Sequence, residues 1–172
     1  MGKVYDVMVD LETLSDVSTA MISAIGACLF SSEGSIMETF YINVEEEEGF
    51  DVSEATLQWW DEQSQEARDA IKGNQVPLND ALMKFAAWLS TISTNIEAIR
   101  LWGNGASFDN AILENAYKKK GIPTPWYYKK DMCYRTIKNL YPEVLIKRPG
   151  THHNALDDAL SQARHLIQIS EE

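Results

Sequence analysis

The first three hydrophobic segments of the chain have the spacing of β-strands. Residues 4–13, 21–30 and 35–44 combine apolar runs with alternating positions, and polar turns separate them. Such segments, bounded by turn residues, are typical of buried or half-buried strands. The sequence therefore predicts three strands in succession at the start of the chain.

Helical spacing dominates the rest of the chain. Leu78 to Ile92 carries apolar residues three and four positions apart, which predicts an amphipathic helix. The same reasoning predicts further helices and two short strands: helices from about Phe108 to Lys119, Cys133 to Leu140 and Ala155 to Ile169, and strands at Ala98 to Trp102 and Trp126 to Tyr128. Ser107 is the predicted N-cap of the first of these helices. Strands followed by alternating helices and strands predict a mixed α/β sheet with helices on its faces.

Two adjacent tryptophans, Trp59 and Trp60, lie in the otherwise polar segment 53–60. On a helix, neighbouring side chains point about 100° apart, so one ring can pack inward while the other lines a cleft. A ring in a cleft can stack on the bases of single-stranded nucleic acid. The alternative is that both rings are partly buried packing residues.

The composition is that of an ordinary globular domain, with 172 residues of which 45% are hydrophobic. No apolar run approaches the roughly 18 residues of a membrane span, and the N-terminus lacks a secretory signal. Cys28 and Cys133 form neither a disulfide framework nor a zinc motif, and Cys28 is expected in the core. We therefore expect one cytoplasmic domain over residues 1–172 with no membrane partner.

The net charge of −11 is unevenly distributed. Residues 1–62 hold 14 acidic side chains and one basic side chain, whereas residues 118–148 hold nine of the 15 basic side chains. An acidic protein is poorly suited to sequence-independent binding of duplexes, which depends on many phosphate contacts. The basic segment is either the wall of a cleft for a few nucleotides or a solvated surface.

Acidic side chains occur at three points where strand ends and helix starts can place them together. Asp10 and Glu12 end the first strand, Asp109 opens a helix after a glycine-bearing turn, and Asp158 lies in the first turn of the last helix. Ligands of such sheets gather at the carboxyl ends of strands, and carboxylates there suit a cation such as Mg²⁺. The alternatives are a solvated loop for Asp10 and Glu12, and a favourable charge at a helix N-terminus for Asp109.

His153 is the candidate general base. Asp157 can complete the cap of the last helix, whereas Asp158 and His153 have no structural role of that kind. A histidine in the loop before the helix can titrate near neutrality, as a base requires. A register with His152 and Asp157 is the alternative, and His165 is expected on the surface.

Together these residues resemble the DEDDh group of 3′–5′ exonucleases, in the DnaQ-like or RNase T-like superfamily with a ribonuclease H-like fold. The motifs are Asp10 to Thr13, Asn104 to Leu113 and His153 to Ala159, in the order that the group has. The short length and the tryptophan pair resemble small phage exonucleases, including the exonuclease VIII-like group, and a related mycobacterial exoribonuclease. The resemblance implies a mixed five-stranded central sheet flanked by helices on both faces.

The resemblance implies an enzyme that hydrolyses single-stranded DNA or RNA from the 3′ end to nucleoside 5′-monophosphates. It implies two divalent cations, Mg²⁺ or Mn²⁺, held by the four acids, with the histidine as base. The expected catalytic residues are Asp10, Glu12, Asp109, His153 and Asp158, and the expected metal ligands are Asp10, Glu12, Asp109 and Asp158. The expected substrate contacts are Leu11, Thr13, Leu14, Trp59, Asn104, Phe108 and Arg135.

Two other functions stay open from the sequence. A phosphodiesterase of very short oligonucleotides would suit the acidic surface. A catalytically silent nucleic-acid-binding module of the same fold is the second, although the complete set of five residues argues against it. No motif distinguishes DNA from RNA, and a homodimer is expected only by analogy with relatives.

Overall fold

The computed structural model describes residues 3–31 and 33–171. The strands are β1 (Tyr5–Thr13), β2 (Ile22–Phe30), β3 (Ile36–Val44), β4 (Gln75–Val76), β5 (Ile99–Gly103) and β6 (Asp131–Cys133). The helices are α1 (Glu54–Asp61), α2 (Gln65–Ala70), α3 (Leu78–Ile92), α4 (Asp109–Lys120), α5 (Tyr134–Leu140) and α6 (Ala155–Ser170). None of the helices within the described ranges has the length and apolar character that a membrane span needs.

The strands form a mixed sheet in the order β4-β3-β2-β1-β5-β6. β2 pairs antiparallel with β1 and β3, whereas β1 with β5, β5 with β6 and β3 with β4 are parallel pairs. The α/β class with a mixed sheet is confirmed, but the described residues form six strands rather than five. The prediction missed β4, which has only two residues and no alternation. It also placed a strand at Trp126 to Tyr128, where the chain instead leads through a 3₁₀ turn into β6.

The alternation along β1 decides which residues reach the functional face of the sheet. Val7 and Val9 enter the main core, which also contains residues of α3 and α4. Met8 points to the opposite face and packs in a second cluster with Cys28, the core residue that the sequence predicted, and with apolar residues of α6. Because successive strand residues alternate between faces, Asp10 lies on the face that α6 covers.

Helix α6 approaches the sheet very closely at Gly26, which pairs with Asp10 across the β1–β2 ladder. A Cβ atom at Gly26 would overlap backbone atoms of Ala155 and Leu156. Asn154 caps the helix at this end, because its side chain accepts a hydrogen bond from the Leu156 N–H at 3.1 Å. The missing side chain of Gly26 therefore lets the first turn of α6 lie directly against β2, beside the Asp10 end of β1.

His165 is buried, with 3% of its surface exposed, so the prediction of a surface histidine is wrong. Its two ring nitrogens lie 2.7 Å from the Tyr134 hydroxyl and 2.7 Å from the Val144 carbonyl oxygen. Helical periodicity could not show that α5 and the segment after it cover this side of α6.

Candidate active site

A cavity of about 410 Å³ lies at the carboxyl end of β1. The five candidate catalytic residues all line it: Asp10, Glu12, Asp109, His153 and Asp158. They come from β1, from the start of α4, from the loop before α6 and from the first turn of α6. The fold thus gathers residues from both ends of the chain into one cavity.

Three of the acids form a compact cluster. One carboxylate oxygen each from Asp10, Glu12 and Asp158 lie within 4.8 Å of one another. Asp109 lies beside them, is 2% exposed and is held in place by the Leu11 N–H, which donates to its Oδ1 at 3.1 Å. The carboxylate of Asp109 is therefore fixed against β1 and is not a solvated charge at a helix start.

The start of α4 differs from the prediction. Phe108 occupies the N-cap position and makes no side-chain cap bond, so Ser107 is not the cap. Gly103, at the end of β5, allows the helix to begin close to the strand, because a Cβ atom there would lie 3.0 Å from the Cβ of Asp109. This close approach brings Asp109 to the acidic cluster.

Burial and mutual repulsion change the acid–base properties of the cluster. Burial, followed by the charges of Asp158 and Asp109, raises the pKa of Glu12 to about 8. Burial and the charges of Asp109, Glu12 and Asp158 raise the pKa of Asp10 well above its usual value. Burial raises the pKa of Asp109 to about 7.

A divalent cation fits this cluster. Glu12 Oε1 is buried and has no hydrogen-bond partner among the described residues. A cation at the cluster would give that oxygen a partner and would offset the repulsion between the carboxylates. Carboxylate oxygens are also the ligands that Mg²⁺ and Mn²⁺ prefer.

The raised pKa of Glu12 gives a testable dependence of stability on pH. Its folded-state pKa of about 8 lies above the ordinary value of 4.5, so protonation of Glu12 favours the folded state. This contribution is complete below pH 4.5 and is lost as the pH rises through about 8. We expect metal-free Glu12→Gln to unfold at a higher temperature than the natural chain, by a margin that grows over this pH interval.

Thermal unfolding of both proteins across the interval measures that margin. Glu48→Gln, in an exposed loop, controls for the loss of one acid and should show no growing margin. Added Mn²⁺ should stabilise the natural chain more than Glu12→Gln and so reverse the order. An unchanging margin would mean that Glu12 is not buried among other acids.

His153 has a left-handed backbone conformation, with φ of 60°. Its N–H donates to Asp158 Oδ2 at 3.1 Å, and its ring packs edge to face against Trp59, with 4.7 Å between the ring centroids. Asp157 holds the same loop, because its Oδ2 accepts from the Thr151 N–H at 2.9 Å. Burial lowers the pKa of His153 although Asp158 opposes the shift, which favours the neutral imidazole that a general base needs.

Both adjacent tryptophans line the cavity, in different ways. Trp60 is 5% exposed and packs inward, and its indole Nε1 donates to the Thr13 carbonyl oxygen at 3.0 Å. Trp59 is 39% exposed and lies beside His153. Trp60 therefore fixes the end of β1, and Trp59 presents an accessible aromatic surface to the cavity.

Most of the predicted substrate contacts lie at the cavity. The lining includes Leu11, Thr13, Trp59, Asn104, Phe108 and Arg135. Arg135 lies across the loop between β5 and α4, where its Nη2 donates to the Asn104 carbonyl oxygen at 2.6 Å. Leu14 is the exception, because it is buried in the main core and faces a different cavity.

Sequence reasoning missed the lining residues Ser15, Asp16, Thr56 and Gln162, and it included Arg148 only as part of the basic segment that could form the wall of a cleft. Gln162 lies four positions after Asp158, so the helical spacing of α6 was an available signal. Arg148 lies in a segment without helix or strand, so no periodicity could indicate where its side chain lies.

The basic segment contributes less to the cavity than its charge suggests. The three lysines at the end of α4 contact other side chains: Lys118 lies 2.9 Å from Glu114, Lys119 lies 4.3 Å from the Phe50 ring centroid, and Lys120 lies 2.5 Å from Glu47.

Of the nine basic residues in positions 118–148, Arg135 and Arg148 alone line the cavity. The charge of Arg135 lowers the pKa of Asp109 and that of Arg148 lowers the pKa of His153, so both positive charges act on candidate catalytic residues.

The sequence matches one family model over residues 5–170, which is described as the "3'-5' exoribonuclease Rv2179c-like domain". No curated protein has a matching sequence. The expected likeness to the exonuclease VIII-like group finds no support in these comparisons.

Several solved structures share the fold at low sequence identity. The nuclease domain of 3′hExo, described as a DEDDh family member bound to rAMP, has a TM-score of 0.70 at 15% identity, covering 98% of this chain and 92% of that one. E. coli exonuclease I with a 5cy-dT13 oligonucleotide has a TM-score of 0.69 at 14% identity, covering 99% and 41%. Cell-death related nuclease 4 has a TM-score of 0.67 at 15% identity, covering 97% and 64%. The chain thus spans most of the first structure but under half of the exonuclease I chain.

Proposed function

We propose that this chain, which belongs to the family of Rv2179c-like 3′–5′ exoribonuclease domains, removes nucleotides from the 3′ end of single-stranded RNA. The observation that carries the proposal is the meeting of four acids and His153 in one cavity. The family match over residues 5–170 supports a single exonuclease domain across the chain.

The acids would hold the divalent cations on which this chemistry depends. Asp10, Glu12 and Asp158 supply the clustered oxygen ligands, and Asp109 lies beside them. Mg²⁺ or Mn²⁺, when bound, lowers the pKa of water and stabilises negative charge that develops on the phosphate. Four carboxylates around one cavity support the expectation of two cations.

The chain's own groups would then position and activate the substrate. His153 takes a proton from the water whose oxygen attacks the terminal phosphorus. The bond from phosphorus to the 3′ oxygen of the preceding nucleotide breaks, that oxygen takes up a proton from solvent, and a nucleoside 5′-monophosphate leaves. Arg135 and Arg148, which line the cavity, would bind phosphate oxygens, and Trp59 would stack on a base.

A second candidate function is the hydrolysis of very short oligonucleotides. The cavity of about 410 Å³ and the two arginines in its lining could hold few nucleotides. Incubation with 5′-labelled single-stranded RNA, the matching DNA and a dinucleotide, each with Mn²⁺ or with a chelator, distinguishes the candidates. We expect Mn²⁺-dependent shortening from the 3′ end that is faster on RNA. Cleavage of the dinucleotide alone would favour the second candidate, and no cleavage of any substrate would contradict both.

His153→Ala tests the role of the imidazole. We expect kcat to fall by about 10²–10⁴-fold, since that is the usual contribution of a general base, while Mn²⁺ binding by calorimetry stays unchanged. The rate of the natural chain should also fall as the pH drops through the acidic side of neutrality, because the protonated imidazole cannot accept a proton. His152→Ala is the matched control, because His152 is the preceding residue in the chain and is exposed. An unchanged kcat in His153→Ala would remove its assignment as the base.

A further inference from the structure

Gln162 is a buried polar residue in the wall of the catalytic cavity that no motif marks. It lies in α6, one turn after Asp158, and is 2% exposed. Its Nε2 donates a hydrogen bond to Asp10 Oδ1 at 2.8 Å. Its Oε1 is buried and has no hydrogen-bond partner among the described residues.

The unpartnered Oε1 of Gln162 indicates that this side chain has a further hydrogen-bonding role. Buried side-chain oxygens in proteins almost always accept a hydrogen bond from protein or ordered water. The amide N–H of Gln162 donates to Asp10, which leaves the amide oxygen as the free end. The Nε2 atom of Gln162 thus has a hydrogen-bond partner, whereas its Oε1 has none among the described residues. Gln162 lies in the wall of a cavity that a ligand would fill.

Packing of α6 alone does not explain a glutamine at this position. Neighbouring residues on the helix that face the sheet, Ala159, Ala163 and Leu166, are apolar and pack in the second core cluster. Ser161 is also 2% exposed, but its hydroxyl donates to the Asp157 carbonyl oxygen of its own helix at 2.8 Å. Gln162 differs from these residues because its side chain reaches across to a strand and bonds to a proposed metal ligand.

We propose that Gln162 is a positioning residue for the metal site, an inference that rests on the proposed function. Its amide hydrogen fixes the orientation of the Asp10 carboxylate before the cation arrives. Its Oε1 accepts a hydrogen bond from water or a substrate hydroxyl that enters the cavity with the cation. Partners that orient metal ligands in this way typically change metal affinity by about 10–100-fold when they are removed.

Calorimetric titration of the full chain with Mn²⁺ tests this role. Gln162→Met keeps the length of the side chain but removes both polar atoms, and we expect it to raise the Kd for Mn²⁺ by about 10–100-fold. At saturating Mn²⁺ its kcat on labelled RNA should recover to within a few-fold of the natural value, because the loss is one of affinity. Ser161→Ala, next to it and equally buried, is the matched control and should keep the natural Kd.

The outcomes separate this inference from the proposed function. A natural Kd in folded Gln162→Met would overturn the positioning role and leave the nuclease assignment intact. A natural chain that binds no Mn²⁺ would overturn the metal site and the positioning role together. If Gln162→Met does not fold, Gln162→Asn is tested in its place, because its amide is one methylene too short to reach Asp10. A natural Kd for Mn²⁺ in that variant would likewise overturn the positioning role.

Discussion

Asp10→Ala should lower the rate of RNA hydrolysis by at least about 10³-fold and leave the chain folded. Asp10 belongs to the cluster of proposed ligands, so its removal should exceed the 10–100-fold effect of residues that only orient ligands. Burial, followed by the charges of the three other acids, raises the pKa of its carboxyl group. Its loss should therefore not destabilise the metal-free fold. Hydrolysis of labelled RNA with Mn²⁺ and thermal unfolding with chelator measure the two effects.

Asp158→Ala should give the same loss of rate, because Asp158 belongs to the same cluster. Asp80→Ala, in the exposed first turn of α3, is the control for the loss of an acid and should keep the natural rate. Turnover close to the natural rate in folded Asp10→Ala would show that the acids do not carry the chemistry.

Gly26→Ala should impair both stability and activity, although the substitution adds one methyl group far from any motif in the sequence. The new Cβ atom would overlap the backbone at Ala155 and Leu156, which cannot rotate away as a side chain could. Overpacking of this kind typically costs about 1–3 kcal/mol. Since α6 must move, Asp158 moves with it, and a displacement of about 1 Å can lower the rate by about 10²-fold.

Denaturant unfolding and the rate at saturating Mn²⁺ measure the two effects of Gly26→Ala. Gly73→Ala is the matched control, because a Cβ atom there would come only within 3.9 Å of Asn43 Nδ2. It should change both quantities little. A natural rate and natural stability in Gly26→Ala would mean that α6 does not lie against β2 as described.

The parts of the fold that were predicted well have a strong local pattern. The helix predicted from Leu78 to Ile92 has these bounds in the structure, because its apolar residues follow helical spacing over four turns. Strand β4 has two residues and exists only because it pairs with the end of β3. No local pattern can report such a pairing, so a sheet of six strands was predicted as five.

The five candidate catalytic residues, which line one cavity, could be predicted to lie together because their spacing within three ordered motifs is itself a sequence signal. Several residues around them lie outside these motifs. Gln162 contacts Asp10, which lies 152 positions away in the chain. The lysines at 118–120 contact side chains outside the cavity. Leu14 is adjacent to a motif, yet packing directs it into the core. The cytoplasmic location and the homodimer stay predictions.

Diffraction from crystals of the full chain grown with Mn²⁺, measured at the manganese absorption edge, tests most directly whether the acids form a metal site. The structure predicts an anomalous peak among the carboxylates of Asp10, Glu12 and Asp158, with the His153 ring facing the same cavity. Well-ordered, Mn²⁺-saturated crystals without a peak at these carboxylates would contradict the account.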